Sequence, residues 1–275
     1  MNAVRPVDAD FDALARFVEA HPRLLVLTGA GISTGSGIPD YRDRDGGWKR
    51  KPPLSFQAFI GDAAKRSRYW ARSLVGWRRF GAAKPNEAHL ALARLEQAGQ
   101  VTQLVTQNVD GLHEAAGSRD VIDLHGRLDR VRCLGCERRI PRAHFQGELE
   151  GLNPDWTALD ALDAPDGDAE LEGLPFERFV VPTCETCGGM LKPDVVFFGE
   201  GVPRERVERA FAALERSDAM LVVGSSLMVY SGFRFARAAA HAGKPVAAIN
   251  LGRTRADELL ALKIEADCES LLRAF

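Results

Sequence analysis

The chain has 275 residues, 45% of them hydrophobic, with 36 Lys and Arg against 38 Asp and Glu. That length allows one large domain or one with a smaller insert, and the apolar share is ample for a core. A net charge of −2 argues against a general nucleic-acid or membrane-surface binder, and no apolar run nears the ~18 residues of a membrane span.

In chain order, Asp8–Ala20 sets Phe11, Leu14, Ala15, Phe17 and Val18 at helical spacing. The opening residues hold no signal-peptide core and carry three aspartates among the first twelve, so a soluble, cytoplasmic protein is expected. Leu24–Leu27 reads as a buried strand and runs into Gly29, Gly31, Gly35 and Gly37. Glycines at a strand-to-helix turn let backbone N–H groups reach a phosphate. The dinucleotide fingerprint is imperfect, because Thr34 stands where the third glycine belongs and no acidic residue follows about 20 positions on. The glycines alone fit a nucleotide loop or a tight structural turn equally well.

Asp43–Pro53 has breakers and no period, and reads as a solvated connector or a lid. Phe56–Phe80 is expected as one helix, with arginines interleaved among Tyr69, Trp70 and Trp77. That pattern fits single-stranded nucleic acid or, preferably, an amphipathic helix with a basic outer face. Tyr69 and Arg72 are three apart and share a face. Asn86 caps a helix over Glu87–Gln97. Val101–Thr106 is a strand ending in Gln107-Asn108-Val109-Asp110, and Val121–Leu124 one ending in His125-Gly126. Ligands in open α/β sheets bind at such carboxyl ends, although Asn108 or Asp110 as helix caps and His125 as a plain structural histidine stay open.

Cys133-x-x-Cys136 and Cys184-x-x-Cys187 make a four-thiolate set for a structural zinc, one per chain, with no open position for catalysis. The 47 residues between the pairs form an insertion in the ribbon. Glu148–Glu177 carries ten acidic residues and no Lys or Arg. Leu149, Leu152, Trp156, Leu159, Leu162, Leu171, Leu174 and Phe176 give this stretch something to bury, so it is expected to pack partly onto the body. An apolar run at Val195–Phe198 follows, then a helix over Arg204–Arg216 and a strand over Ala219–Val223 ending in Gly224-Ser225-Ser226. Next come a helix over Gly232–Ala242, a strand over Val246–Ile249 ending in Asn250-Leu251-Gly252, a strand over Leu262–Ala266 and a last helix. Alternating strands and helices imply an α/β, doubly wound parallel sheet.

Gly29-Ala30-Gly31-Ile32-Ser33 followed by Gly37-Ile38-Pro39-Asp40-Tyr41-Arg42 resembles the NAD-binding signature of the sirtuins, the NAD-dependent protein deacylases. Gln107–Asp110, His125-Gly126, both cysteine pairs, Val195–Glu200, Gly224–Ser226 and Ile249–Gly252 extend the likeness over nearly the whole chain after the first helix. The long insertion and Tyr41 resemble the class II branch, which includes the mitochondrial sirtuin four. The resemblance implies a Rossmann-like domain from 1–44, 83–130 and 200–275, and a small domain from a helical module (45–82) and a zinc ribbon with its insertion (131–199).

It also implies residue roles. Gly29, Ala30, Gly31 and Arg42 would address the NAD pyrophosphate, with Ile32 and Gly37 to Tyr41 completing the loop. Ser33, Asp40, Gln107, Asn108, Val109 and Asp110 would shape the nicotinamide and ribose pocket. Gly224, Ser225 and Ser226 would contact phosphate and ribose, while Asn250, Leu251, Gly252 and Cys268 would hold the adenosine. The rival reading of Cys268 is a reactive thiol. An acyl-lysine protein substrate would lie between Val196–Gly199, Phe198 included, and Ser226–Val229. His125 would be the general base, and Asn108 and Asp110 would assist; the acyl group passes to ADP-ribose as nicotinamide leaves. Tyr69 and Arg72 have the spacing of a pair that reads an acidic acyl tip, so a preference for non-acetyl groups such as glutaryl is expected. A monomer is expected, with no nucleic-acid or membrane partner. ADP-ribosyl transfer and lipoyl removal stay open on the same scaffold. A dehydrogenase and a non-enzymatic zinc or NAD module are the readings outside it.

Overall fold

The computed structural model describes residues 6–159, 163–169, 171 and 173–275. Helix α1 (Pro6–Ala20) leads into β1 (Leu24–Thr28), a 3-10 turn over Ala30–Ser36, and helices α2 (Phe56–Gly61), α3 (Ala63–Phe80) and α4 (Glu87–Gln97). Strand β2 (Val101–Thr106), α5 (Leu112–Ala115), β3 (Val121–Asp123), β4 (Gly126–Cys133), β5 (Arg139–Pro141) and α6 (Arg142–Leu152) follow. The insertion then forms a small hairpin, β6 (Asp163–Ala164) and β7 (Asp168–Ala169). Strand β8 (Leu191–Val195), α7 (Arg204–Arg216), β9 (Ala219–Val223), α8 (Tyr230–His241), β10 (Val246–Ile249), β11 (Leu262–Ile264) and α9 (Cys268–Leu272) complete the chain.

Six strands make one parallel sheet in the order β11-β10-β9-β1-β2-β3. The core strands β1, β9 and β10 are buried at every position, which is why they read as unbroken apolar runs. Helices α1, α4 and α9 close one face through Leu14, Leu92 and Leu271; α7 and α8 close the other through Leu214 and Phe235. The chain reverses direction across the sheet between β1 and β9. That is the switch point at which doubly wound sheets open a crevice at their carboxyl ends. No described helix is long and apolar enough to cross a membrane.

The small domain has its own core, built on Phe59, Trp70, Leu74, Phe145 and Leu149. Its sheet is antiparallel, β5-β4-β8. The insertion packs onto this core as expected: Leu149, Trp156 and Leu171 are buried, and Leu159, Leu174 and Phe176 pack against them. Leu152 instead faces solvent, and Leu162 lies outside the described residues.

The expected single helix over Phe56–Phe80 is broken at Asp62, whose extended backbone (φ −130°, ψ 108°) ends α2. The Asp62 carboxylate then accepts from Ala64 N and Lys65 N at 3.0 and 3.1 Å, capping α3. The apolar run Val195–Phe198 is strand only at Val195, the last residue of β8, and the helix expected from Gly232 starts at Tyr230.

Candidate active site

The turn after β1 meets the turn after β9 backbone against backbone. Gly31 N donates to Gly224 O at 2.8 Å, and Gly29 N to Val223 O at 3.1 Å. Gly224 has φ +61°, and a Cβ there would lie 2.3 Å from Ile32 N, so only glycine serves. These turns wall a cavity of about 390 Å³ that also takes in the ends of β2 and β3 and the segment after β8. A cradle of bare backbone at a switch point fits the pyrophosphate of a dinucleotide.

Behind the cradle, Ser33 Oγ stands between two partners. It donates to Asp110 Oδ2 at 2.8 Å and accepts from Asn108 Nδ2 at 3.0 Å. Asn108 Nδ2 also donates to Gly29 O at 3.1 Å, tying the end of β2 to the glycine turn. Asp110 Oδ1 accepts from Leu112 N, so the capping reading and the site reading hold together for this residue. His89, which spacing alone does not single out, lies behind Ser33 with its Nε2 3.5 Å from Ser33 Oγ. Burial pushes its pKa down to about 4.

His125 is half-buried in the same cavity wall. Its Nδ1 lies 2.9 Å from the Gln107 carbonyl, which can only accept, so the proton sits on Nδ1. Nε2 then carries the lone pair and receives Ser231 Oγ–H at 2.8 Å. Ser231 was not found from sequence, because it lies 106 positions away on α8. Burial, against the Gln107 hydrogen bond, lowers the His125 pKa to about 4, so the ring is neutral at working pH rather than half-charged. Gln107 is also held at its side chain, where Oε1 accepts from Ser225 Oγ at 2.7 Å.

Residues 43–53 fold over the cavity, which Trp48 and Pro53 line. Arg42 stacks on Trp48 with its guanidinium carbon 3.6 Å from the ring centre and donates to Gly46 O at 2.9 Å. Asp40 pairs with Lys49. Arg44 O accepts from Arg253 N at 2.7 Å, while the Trp48 ring lies 5.6 Å from Phe198.

Most other sequence-named residues reach this cavity: Ala30, Ile38, Pro39, Tyr41, Val109, Ser226, Asn250, Leu251, Tyr69, Val196 and Gly199 all line it. Val196 N donates to His125 O at 2.7 Å, joining the expected substrate segment to the histidine. Ile32, Gly37, Gly252 and Cys268 are not in the wall. Burial raises the Cys268 thiol to about 12, which removes the reactive-thiol reading. Arg72 is also outside the wall. Its Nε donates to Ala169 O at 2.7 Å and its terminal nitrogen pairs with Asp168 at 2.8 Å. Phe80, Phe197 and Pro165 line the cavity instead, with Tyr69 packed 5.4 Å from Phe197.

The four zinc-pattern cysteines converge. Their sulfurs lie within 4.8 Å of one another, with Cys133 to Cys187 at 3.5 Å and Cys136 to Cys184 at 3.7 Å. Those spacings match the edges of a tetrahedron with metal–sulfur bonds of about 2.3 Å. Backbone N–H groups of Cys136 and Gly135 lower the Cys133 thiol to about 6, while hydrogen bonds with the neighbouring cysteines raise Cys187 to about 12. The donor set fits a structural zinc.

The Sir2 family model matches residues 29–231. An NAD-dependent protein deacetylase of Bordetella bronchiseptica is 67% identical over 264 residues, covering 96% of each chain. NAD-dependent protein deacetylase 3 of Pseudomonas syringae is 51% identical over 262 residues, covering 95% of this chain and 93% of the relative. A solved Sir2 in complex with a p53 peptide and NAD+ aligns with a TM-score of 0.76 at 29% identity, covering 96% of both chains. Sir2Tm bound to a propionylated peptide aligns at 0.75 and 30% identity, again over 96% of both.

Proposed function

We propose, starting from the fact that the chain belongs to the Sir2 family, that it is an NAD-dependent protein lysine deacetylase of bacterial type. The observation that carries the reading is His125: a neutral imidazole, its proton pinned on Nδ1 by Gln107 O and its Nε2 lone pair in the wall shared with the glycine cradle. Relatives at 51–67% identity named as NAD-dependent protein deacetylases support it.

NAD, when bound, supplies the ribose carbon that accepts the acyl oxygen as nicotinamide departs. The chain's residues divide the remaining work. Gly29, Ala30, Gly31, Gly224 and Ser225 offer backbone and hydroxyl groups to the pyrophosphate and its ribose, with Arg42 beside them as the cation. Ser33, Asn108 and Asp110 hold one another, and present a carboxylate and an amide where positive charge develops. His125 Nε2 takes a proton from a hydroxyl during acyl release. Asn250 and Leu251 stand at the adenosine end. Cys133, Cys136, Cys184 and Cys187 hold zinc and keep β4 and β8 in register. The acyl-lysine threads beside Val196 and Phe197.

The acyl range in this reading extends beyond acetyl, because the cavity wall continues through Tyr69, Phe80 and Pro165, and a structural relative is described with a propionylated peptide. The long insertion and Tyr41 support a place in the class II branch. A monomeric, cytoplasmic enzyme completes the proposal. Incubating the protein with NAD and an acetyl-lysine peptide tests it: peptide-dependent release of nicotinamide is expected, and its absence with folded, zinc-loaded protein would refute the reading.

A further inference from the structure

The hairpin β6–β7 sits on one stripe of α3. Arg72, Gly76 and Phe80 are four apart and share a face, with Tyr69 one turn before. Gly76 is where the hairpin touches: a Cβ there would lie 2.4 Å from Gly167 O and 2.6 Å from the Asp168 carbonyl carbon. The two backbones are in contact, so the hairpin's place along the helix is fixed. Pro165 at its tip lines the cavity with Tyr69 and Phe80. At its other end Asp168 pairs with Arg72 at 2.8 Å, and Ala169 O takes Arg72 Nε at 2.7 Å. The Nε–Nη2 edge of the guanidinium is therefore engaged inside the protein.

We propose that Asp168 is a specificity-determining residue, one that cancels Arg72 and makes the acyl end of the cavity select neutral acyl groups over acidic ones. The inference rests on the lysine-deacylase reading above. Without Asp168, Arg72 would be a half-buried cation one turn from cavity-lining Tyr69, with a planar fork matched to a carboxylate. With Asp168 in place, Arg72 is held outside the cavity wall with its charge paired, so an acyl carboxylate in the cavity competes with an acid already bound to it. Arg68 also faces Asp168 electrostatically and stacks 5.2 Å over Phe176, so it helps to hold the insertion's carboxylate on the helix. The spacing of Tyr69 and Arg72 suits an acidic tip; the insertion supplies an acid of its own in Asp168.

The test uses the full chain as parent, Asp168→Ala, Asp168→Asn, and the double variant Asp168→Ala with Arg72→Met. Two readouts are taken on matched acetyl-lysine and glutaryl-lysine peptides: kcat/KM with NAD, and peptide binding by fluorescence anisotropy without NAD. In the parent, acetyl is expected to beat glutaryl. In both single variants the glutaryl-to-acetyl ratio should rise about tenfold, the scale of one charge-assisted hydrogen bond, and the double variant should lose that gain. A ratio unchanged in Asp168→Ala and Asp168→Asn would overturn the proposal, as would a parent that already prefers glutaryl. If no peptide is cleaved by any variant, the deacylase reading fails, and the anisotropy ratio still decides the role of Asp168.

Discussion

Ser231 Oγ lies 2.8 Å from His125 Nε2, across the ring from the Gln107 carbonyl. The serine hydroxyl donates to the lone pair that a base would use, which favours the neutral imidazole. His125→Ala should keep zinc and NAD binding but lose about 10²-fold or more in kcat, the usual share of a general base. Ser231→Ala should act in a different way, by moving the acid limb of the pH–kcat/KM profile upward, while burial still keeps it below the ordinary histidine value. Identical profiles for parent and Ser231→Ala would remove the serine from the mechanism.

Ser33 is the second test. Its hydroxyl satisfies both Asp110 and Asn108, so Ser33→Ala leaves a carboxylate oxygen and an amide N–H short of a partner. One such loss is worth roughly 1–3 kcal/mol, or about 5- to 150-fold. Nicotinamide exchange should fall by that factor, while the affinity for ADP-ribose changes little. Equal losses in both would place Ser33 in general NAD binding rather than at the nicotinamide.

Stability should fall on mild acidification. Burial holds His89 and His125 to about 4, and His113 well below its usual value. Each stays neutral in the fold while the unfolded chain protonates near 6.5, so stability is full above that pH and declines as pH drops toward 4. Asp123 opposes this: burial raises it to about 7, so the fold holds a proton that the unfolded chain has released. Burial raises Asp168 as well, so three histidine protons stand against one or two acid protons, a net slope of roughly 1.4–3 kcal/mol per pH unit near pH 5. Urea midpoints at pH 7.5 and 5.0 check the sign, and Asp123→Asn should steepen the loss. A midpoint that does not move would mean these histidines titrate normally.

Metal analysis should return one zinc per chain. Chelation or Cys184→Ala should melt the small domain first, since β4 and β8 carry the cysteine knuckles at their ends and binding energy is folding energy. Zinc-free protein with the parent's Tm would defeat the assignment.

The sequence revealed what is local or periodic. Buried runs such as Leu24–Leu27 and Ala219–Val223 are strands, Asn86 caps α4 with a reciprocal bond to His89, and Arg204–Arg216 has the expected bounds. Asp62 was passed over because helical spacing of apolar residues continues on both sides of it; only its capping chemistry marks the break. The partners of His125 and Arg72 were out of reach for another reason. Ser231 is 106 positions from the histidine, and Ala169 is 97 from the arginine. Nothing in either sequence neighbourhood encodes the pairing. Tyr69 lines the cavity wall, while Arg72, on the same helix face, is held away by Asp168 of the insertion, whose apolar residues foretold packing onto the body but not this partner.

The strap over residues 43–53 has a thermodynamic consequence. Through Arg44 O it holds Arg253, next to the end proposed for the adenosine, and through Trp48 it touches Phe198, in the segment proposed to lie beside the acyl-lysine. A ligand at either end that orders this one segment lowers the cost of ordering for the other. Linkage of that kind is reciprocal: whatever factor NAD applies to the peptide's affinity, the peptide must apply to NAD. On the proposed placement of the two substrates, any such linkage runs through eleven residues outside the catalytic group, and Trp48→Ala, which leaves His125 untouched, should shrink the factor by which each substrate changes the other's Kd.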